Sequence, residues 1–269
     1  MNQNERRMYL IQQLISEDPR YASIDIPQSG SAQRKLLRAL MNVRPPRQAS
    51  DEFLRVQDTY LKAAIALRGI TNETDIPDIL PGIALWRGDI TTLACDGIVN
   101  AANSGMTGCY QPLHACIDNC IHTYAGIQLR LLCAQMMEQQ GFEEPVGTAK
   151  VTPAFNLPCN YVMHTVGPMV QGAVTPSDES DLASCYKSCL RLAARNHLES
   201  VAFCCISTGV FGFPREHAAR IAVRAVMEER EALKSQPSGQ RSVPRIIFDV
   251  FDETDEDIYK SILSKKAQD

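Results

Sequence analysis

Three side chains able to hold a metal fall close together in this chain: Cys109, His114 and Cys116, spaced C-x4-H-x-C, with Asp118 two residues further on. Two thiols and an imidazole suit zinc. Three protein ligands leave a fourth position open, as at a catalytic rather than a structural centre. The same residues also read as free loop thiols and a histidine that caps a helix. Asp118 has two readings of its own. In the first turn of a helix a carboxylate is favoured by the dipole, and beside a metal it would orient or deprotonate a water. Cys120 and His122 add ligand types but run along the helix that follows.

Two further stretches have the make-up of an anion site. Ser207, Thr208, Gly209, Val210, Phe211 and Gly212 (STGVFG) follow an apolar strand and precede a helix. Small residues with two glycines let backbone N–H groups close on a diphosphate there. Gly88-Asp89-Ile90-Thr91 (GDIT) follows another strand. Asp89 would accept from an exocyclic amine or stand as an ordinary turn residue, and in isolation the turn is favoured. Asn103, in NAAN, would hydrogen-bond a sugar hydroxyl or cap its own loop. His164 lies inside a strand pattern and reads as a hydrogen-bonded core histidine. His197 and His217 receive no role.

The elements that must position these groups change character near residue 81. Up to about residue 68 the chain reads as helical. Met8 to Ile15 carries apolar residues at helical spacing, with Met8, Ile11 and Ile15 in one row and Leu10 and Leu14 beside it. Ser31 is the expected cap before Leu36, Leu37 and Leu40, and Pro45-Pro46 stops that helix. Ser50 caps a third, ending near Gly69, with Phe53, Leu54, Tyr60, Leu61, Ile65 and Leu67 expected inside. These helices are too few for a secure core of their own and should dock on the rest. Ile70 to Leu80 reads as a polar linker, which sets a helical extension at 1–80 and a main domain at 81–269.

In the main domain strands alternate with helices, which means a mostly parallel sheet between helix layers. IALWR and IVNAA are strands, the second read as fully apolar, and a helix is expected from about His114 to Gln140. TAKVTPAF and YVMHTVGP follow as strands, then an amphipathic helix capped near Ser180. SVAFCCIST is apolar on both faces and so belongs at the sheet centre. A helix with Pro214 in its first turn, the strand RIIFDVFD and a capped closing helix complete the chain.

Composition excludes several classes. A net charge of −4 with scattered basic residues argues against nucleic acid and anionic membrane partners. Arg38, Arg44 and Arg47 read as part of a solvated linker. No apolar run approaches a membrane span and no secretory h-region follows the polar start. Ten cysteines without such a signal imply a reducing, cytoplasmic setting, with thiols such as Cys185, Cys189, Cys204 and Cys205 buried as small apolar groups.

Taken together, GDIT, IVNAAN, YVMHTVGP and ISTGVFGFP, in that order from about Ile83 onward, resemble the macrodomain family of ADP-ribose-binding modules. The resemblance implies a three-layer α/β/α fold with a mixed, mostly parallel central sheet. It places the adenine amino group on Asp89 with Ile90 adjacent, and Phe251 on or near the adenine. Residues 207–212 would wrap the diphosphate, and Asn103 would contact the distal ribose. Many hydrolytic members carry a glycine run after NAAN. Here GMTGCYQPLHACIDN stands instead, with Asp118 in the place of the family's catalytic aspartate. That form is similar to the zinc-dependent branch, which also has a helical N-terminal extension. By that resemblance Cys109, His114 and Cys116 hold Zn2+, Asp118 and Asn103 serve catalysis, and the activity is removal of mono-ADP-ribose from modified protein. Some relatives work beside a sirtuin-like transferase and a lipoyl-carrier protein. Three other readings stay open: an ADP-ribose reader with a structural metal, an O-acetyl-ADP-ribose deacetylase, and a redox sensor whose loop thiols form a disulfide.

Overall fold

The computed structural model describes residues 1–235 and 243–267. Helical apolar spacing brings together α1 (Gln3–Ser16), α2 (Gly30–Val43) and α3 (Asp51–Arg68). Leu10, Leu37, Leu40, Phe53 and Leu61 form a cluster apart from the main core, shared with Ile127 of the main domain. The extension thus has a small core of its own, closed by one borrowed side chain. Ile65 crosses into the main core instead. Leu67, expected inside, is 83% exposed, because two residues on from Ile65 a helix has turned to its opposite face. Ser29 rather than Ser31 caps α2, its hydroxyl accepting from the Ala32 amide at 3.2 Å. Ser50 caps α3 as expected, accepting from the Phe53 amide at 3.1 Å.

Residues 70–80 are not a plain linker. They supply β1 (Thr71–Asn72), which pairs with β4 (Leu93–Ala94), and β2 (Asp78–Leu80), which joins the main sheet. Arg245 ties the segment down by donating to the Glu73 and Ile76 carbonyls and to Asp78. Arg44 is likewise no solvated residue: it is buried, bonded to Glu17 and to the Arg47 and Gln48 carbonyls.

The main sheet comprises β2, β3 (Ile83–Arg87), β9 (Arg245–Val250), β8 (Ser200–Phe203), β5 (Gly97–Ala102), β7 (Tyr161–Val166) and β6 (Ala149–Pro153), in that spatial order. The five inner strands are parallel, while β2 and β6 run antiparallel at the edges. β8 lies at the centre and every one of its residues is buried, as its two-faced apolar pattern requires. Helices α4 (Ile117–Ala125), α5 (Ile127–Gln140), α6 (Pro176–Arg195), α7 (Arg215–Lys234) and α8 (Glu253–Lys266) flank the sheet.

Two helix boundaries differ from expectation. The single helix read from His114 to Gln140 is two helices broken at Gly126, whose φ of 103° an L side chain rarely adopts. A Cβ there would also meet Gln57 Nε2 at 2.8 Å. α6 starts earlier than Ser180. Thr175 and Asp178 form a capping box and Pro176 takes the first helical position. Because β3, β5, β8 and β9 are parallel, the segments that leave their carboxyl ends emerge along one side of the sheet, where open α/β folds bind ligands.

Candidate active site

Those segments enclose a cleft of about 1090 Å³. Its wall includes Asp89 after β3, Asn103 and residues 107–111 and 114–116 after β5, Asp118 at the start of α4, residues 204, 205 and 207–211 after β8, and Phe251 after β9. Residues expected at one site from motifs scattered over 160 positions do share one cavity.

Cys109, His114 and Cys116 are half-buried in its wall, with their ligand atoms all within 4.8 Å of one another. Cys109 Sγ stands 3.6 Å from His114 Nδ1. Cys116 is the N-cap of α4, its sulfur accepting from the Asn119 amide at 3.5 Å. Burial, with Cys109 and Asp118 nearby, pushes the Cys116 thiol up to about 12. The donor set and its clustering fit a zinc ion, and three ligands facing a cleft fit the open kind of site. A second group, His122, Cys133 and His164, lies deeper and is fully buried. There both His164 nitrogens are engaged, with Asn100 and Thr152. This bears out the sequence reading of His164.

Asp118 sits in the first turn of α4 and is only 6% exposed. Burial pushes its carboxyl up to about 6, against the pull of Asn100, the Arg130 charge and Asn103. Asn100 donates to Oδ1 at 2.9 Å and Asn103 to Oδ2 at 3.2 Å, so each oxygen is oriented by its own amide. Asn103 also caps its loop, accepting from the Gly105 amide at 3.0 Å and donating to the Gly108 carbonyl at 3.1 Å. The loop-capping reading of this residue is the one the geometry shows, and the same amide also reaches Asp118. Asn100 itself went unnoticed in IVNAA, which is not fully apolar: a polar side chain stands, buried, in the middle of the strand.

At the opposite end, Asp89 caps a short turn by accepting from the Thr91 amide at 3.0 Å, and it pairs with Arg68 at the last turn of α3. Arg68 also lies 4.1 Å over the Tyr124 ring. Ile90 borders the cleft, yet its side chain is packed in the main core. Phe251 is 80% exposed at the rim.

Between the two ends runs the 207–212 loop. Its turn is closed by Gly212 N–H donating to the Gly209 carbonyl and Phe213 N–H to the Ser207 carbonyl, each at 3.0 Å. Among the described residues, the amides of Gly209, Val210 and Phe211 have no acceptor within the protein. Ser207 adopts φ 65°, a left-handed conformation that is strained for serine. It packs against Gly167, where a Cβ would come within 2.1 Å of Ser207 Oγ. Free amides on a strained, glycine-bearing turn ahead of a helix make an anion cradle.

A mostly parallel sheet with its loops gathered on one cleft defines a three-layer α/β/α protein. The chain belongs to the macrodomain family: residues 99–222 match the Macro domain, and relatives align along its whole length. A "Protein-ADP-ribose hydrolase" of Treponema medium is 55% identical over 98% of this chain and 100% of that one. Another of the same name, from Staphylococcus aureus (strain MSSA476), is 43% identical over 100% of this chain and 99% of its own. Among solved structures, an Oceanobacillus iheyensis macrodomain mutant with ADPR superposes with a TM-score of 0.60. It is 33% identical over 70% of this chain and 94% of that one. No helix among the described residues is long and apolar enough to cross a membrane.

Proposed function

We propose that this protein hydrolyses the bond between ADP-ribose and a modified protein side chain, releasing mono-ADP-ribose, with Zn2+ held by Cys109, His114 and Cys116. The names of its relatives support the hydrolase part of this reading. The observation that carries it is a buried carboxyl, Asp118, aligned by two amides in the same cleft as a C-x4-H-x-C cluster and an anion cradle.

The amides of Gly209, Val210 and Phe211 bind the diphosphate, and Asp89 takes the adenine amino group at the far end. The substrate is thereby fixed at two points, and its distal ribose lies at Asp118, so that attack is effectively intramolecular. At the anomeric carbon the bond to the acceptor side chain breaks, water supplies the new oxygen, and its proton passes to the leaving group. Asp118 orients that water, accepts its proton and hands it on to the leaving group. When bound, zinc would supply Lewis acidity to an oxygen at its open position.

The test uses purified chain and a mono-ADP-ribosylated protein, with free ADP-ribose as the readout. Asp118→Asn should lower turnover about 10²–10⁴-fold and leave ADP-ribose binding intact. A wild-type chain that binds ADP-ribose and never releases it from protein would make this a reader instead.

A further inference from the structure

The loop that carries Cys109 and His114 contains neither helix nor strand, yet its backbone is held at almost every turn by side chains from elsewhere. Arg130 of α5 donates to the Thr107 carbonyl at 2.7 Å and to the Cys109 carbonyl at 3.5 Å. Asn119 donates to the Cys109 and Gln111 carbonyls at 3.3 and 3.0 Å. The remaining two holds come from the N-terminal extension. Asn42 of α2 accepts from the Leu113 amide at 3.0 Å, and Arg38 of α2 donates to the His114 carbonyl at 2.7 Å.

These contacts form one unit. The Arg130 guanidinium, 5% exposed, also donates to the carbonyls of Met41, Asn42 and Arg44 at 3.2, 2.7 and 2.6 Å. It thus satisfies acceptors at and just past the end of α2 while gripping the metal loop with its other nitrogens. Asn42, 1% exposed, spends its amide on Thr123 Oγ1 at 2.9 Å, which locks α2 to α4. Arg38 reaches Asn119 Oδ1 at 2.9 Å, so the residue that holds the Cys109 carbonyl is itself held from α2. Leu113 has φ 59°, an uncommon backbone state for leucine, and the Asn42 hydrogen bond falls on that residue's amide.

We infer that α2 is a positioning element for the metal loop: Arg38 and Asn42, acting with Arg130, hold the backbone that presents Cys109 and His114 and so set the affinity of that site for zinc. The inference rests on the zinc reading given under Proposed function. Groups that orient metal ligands from behind are worth about 10–100-fold in metal affinity. The extension is then part of the active site rather than an appendage, although Arg38 is 76 residues from His114 in sequence.

The experiment compares full-length wild type, Asn42→Ala, Arg38→Met, Arg38→Lys and Gln33→Ala. Zinc affinity is measured by competition with a chromogenic chelator, and melting temperature is measured on the same samples. Gln33 bonds to Arg7 and the Pro27 carbonyl and does not touch the loop, so Gln33→Ala controls for general loosening of the extension. Asn42→Ala and Arg38→Met should each weaken zinc binding about 10–100-fold. Arg38→Lys should recover part of the loss, and Gln33→Ala should lower the melting temperature with zinc affinity unchanged. If wild type binds zinc and the two loop-contact variants bind it equally well, or only in proportion to their loss of melting temperature, the α2 inference fails alone. If wild type binds none, the zinc reading falls and this inference with it.

Discussion

Asn100 Nδ2 lies 2.9 Å from Asp118 Oδ1 and 3.2 Å from His164 Nδ1. One buried amide thus connects the candidate catalytic carboxyl to a histidine on the neighbouring strand. The neutral ring with its hydrogen on Nε2 suits the network, since Nδ1 then accepts from Asn100 and Nε2 donates to Thr152 Oγ1 at 2.9 Å.

Asn100→Ala should therefore cost both stability and turnover. It removes one of two amide donors from a buried carboxyl, and a hydrogen bond to a charged group is worth about 1.5–3 kcal/mol. The expected result is an unfolding free energy lowered by that order and a kcat reduced about tenfold or more, with KM little changed. Steady-state kinetics beside calorimetry checks it.

His164 predicts a pH dependence of folding. Burial holds its pKa down at about 4, below the ordinary value near 6.5. The unfolded chain therefore binds a proton that the folded chain refuses. Stability from this site is complete above about pH 6.5 and is lost as pH falls toward 4, by about 3 kcal/mol. Denaturant unfolding of wild type and His164→Gln across that window should show the wild-type slope reduced in the variant.

Metal content should follow the cluster. Wild type purified under reducing conditions should carry one zinc per chain, and Cys116→Ala should lose it together with hydrolysis. ADP-ribose binding should persist in both, because the 207–212 loop and Asp89 do not depend on those ligands. Elemental analysis reads the zinc, release of free ADP-ribose from modified protein reads the hydrolysis, and titration calorimetry reads the binding.

Gly167→Ala tests the cradle. The added methyl would fall within 2.1 Å of Ser207 Oγ, so the strained serine and its loop must shift. ADP-ribose affinity should drop at least tenfold (about 1.4 kcal/mol). Because the same methyl would come within 2.8 Å of Ile206 Cγ2 in the main core, melting temperature is measured on the same sample to separate loss of the cradle from loss of the fold. An unchanged affinity would show that the loop does not hold the ligand.

Much of the site was legible because its parts are local. C-x4-H-x-C spans a single loop, GDIT and STGVFG each follow one strand, and Asp118 lies in the turn after Cys116. The alternation of strands and helices similarly announced the sheet, and the two-faced apolar run of β8 announced its centre. Asn100 was missed because a strand is read by its apolar neighbours, and Ile98, Val99 and Ala102 outweigh one amide. Arg44 was mistaken for a linker residue because charge usually signals solvent, whereas here Glu17 and two carbonyls neutralise its burial.

The order of residues by itself determined which side chains could form a metal cluster and an anion cradle, and which segments would pair as strands. Such patterns depend on near neighbours and on periods of two and 3.6. Only the folded chain decided that Asn100 aligns Asp118, that Arg68 meets Asp89, and that α2 holds the loop after β5 through Arg38, Asn42 and Arg130. Those partners are separated by up to about ninety residues. Buried polar groups must find a partner wherever packing brings one, and packing is a property of the whole chain.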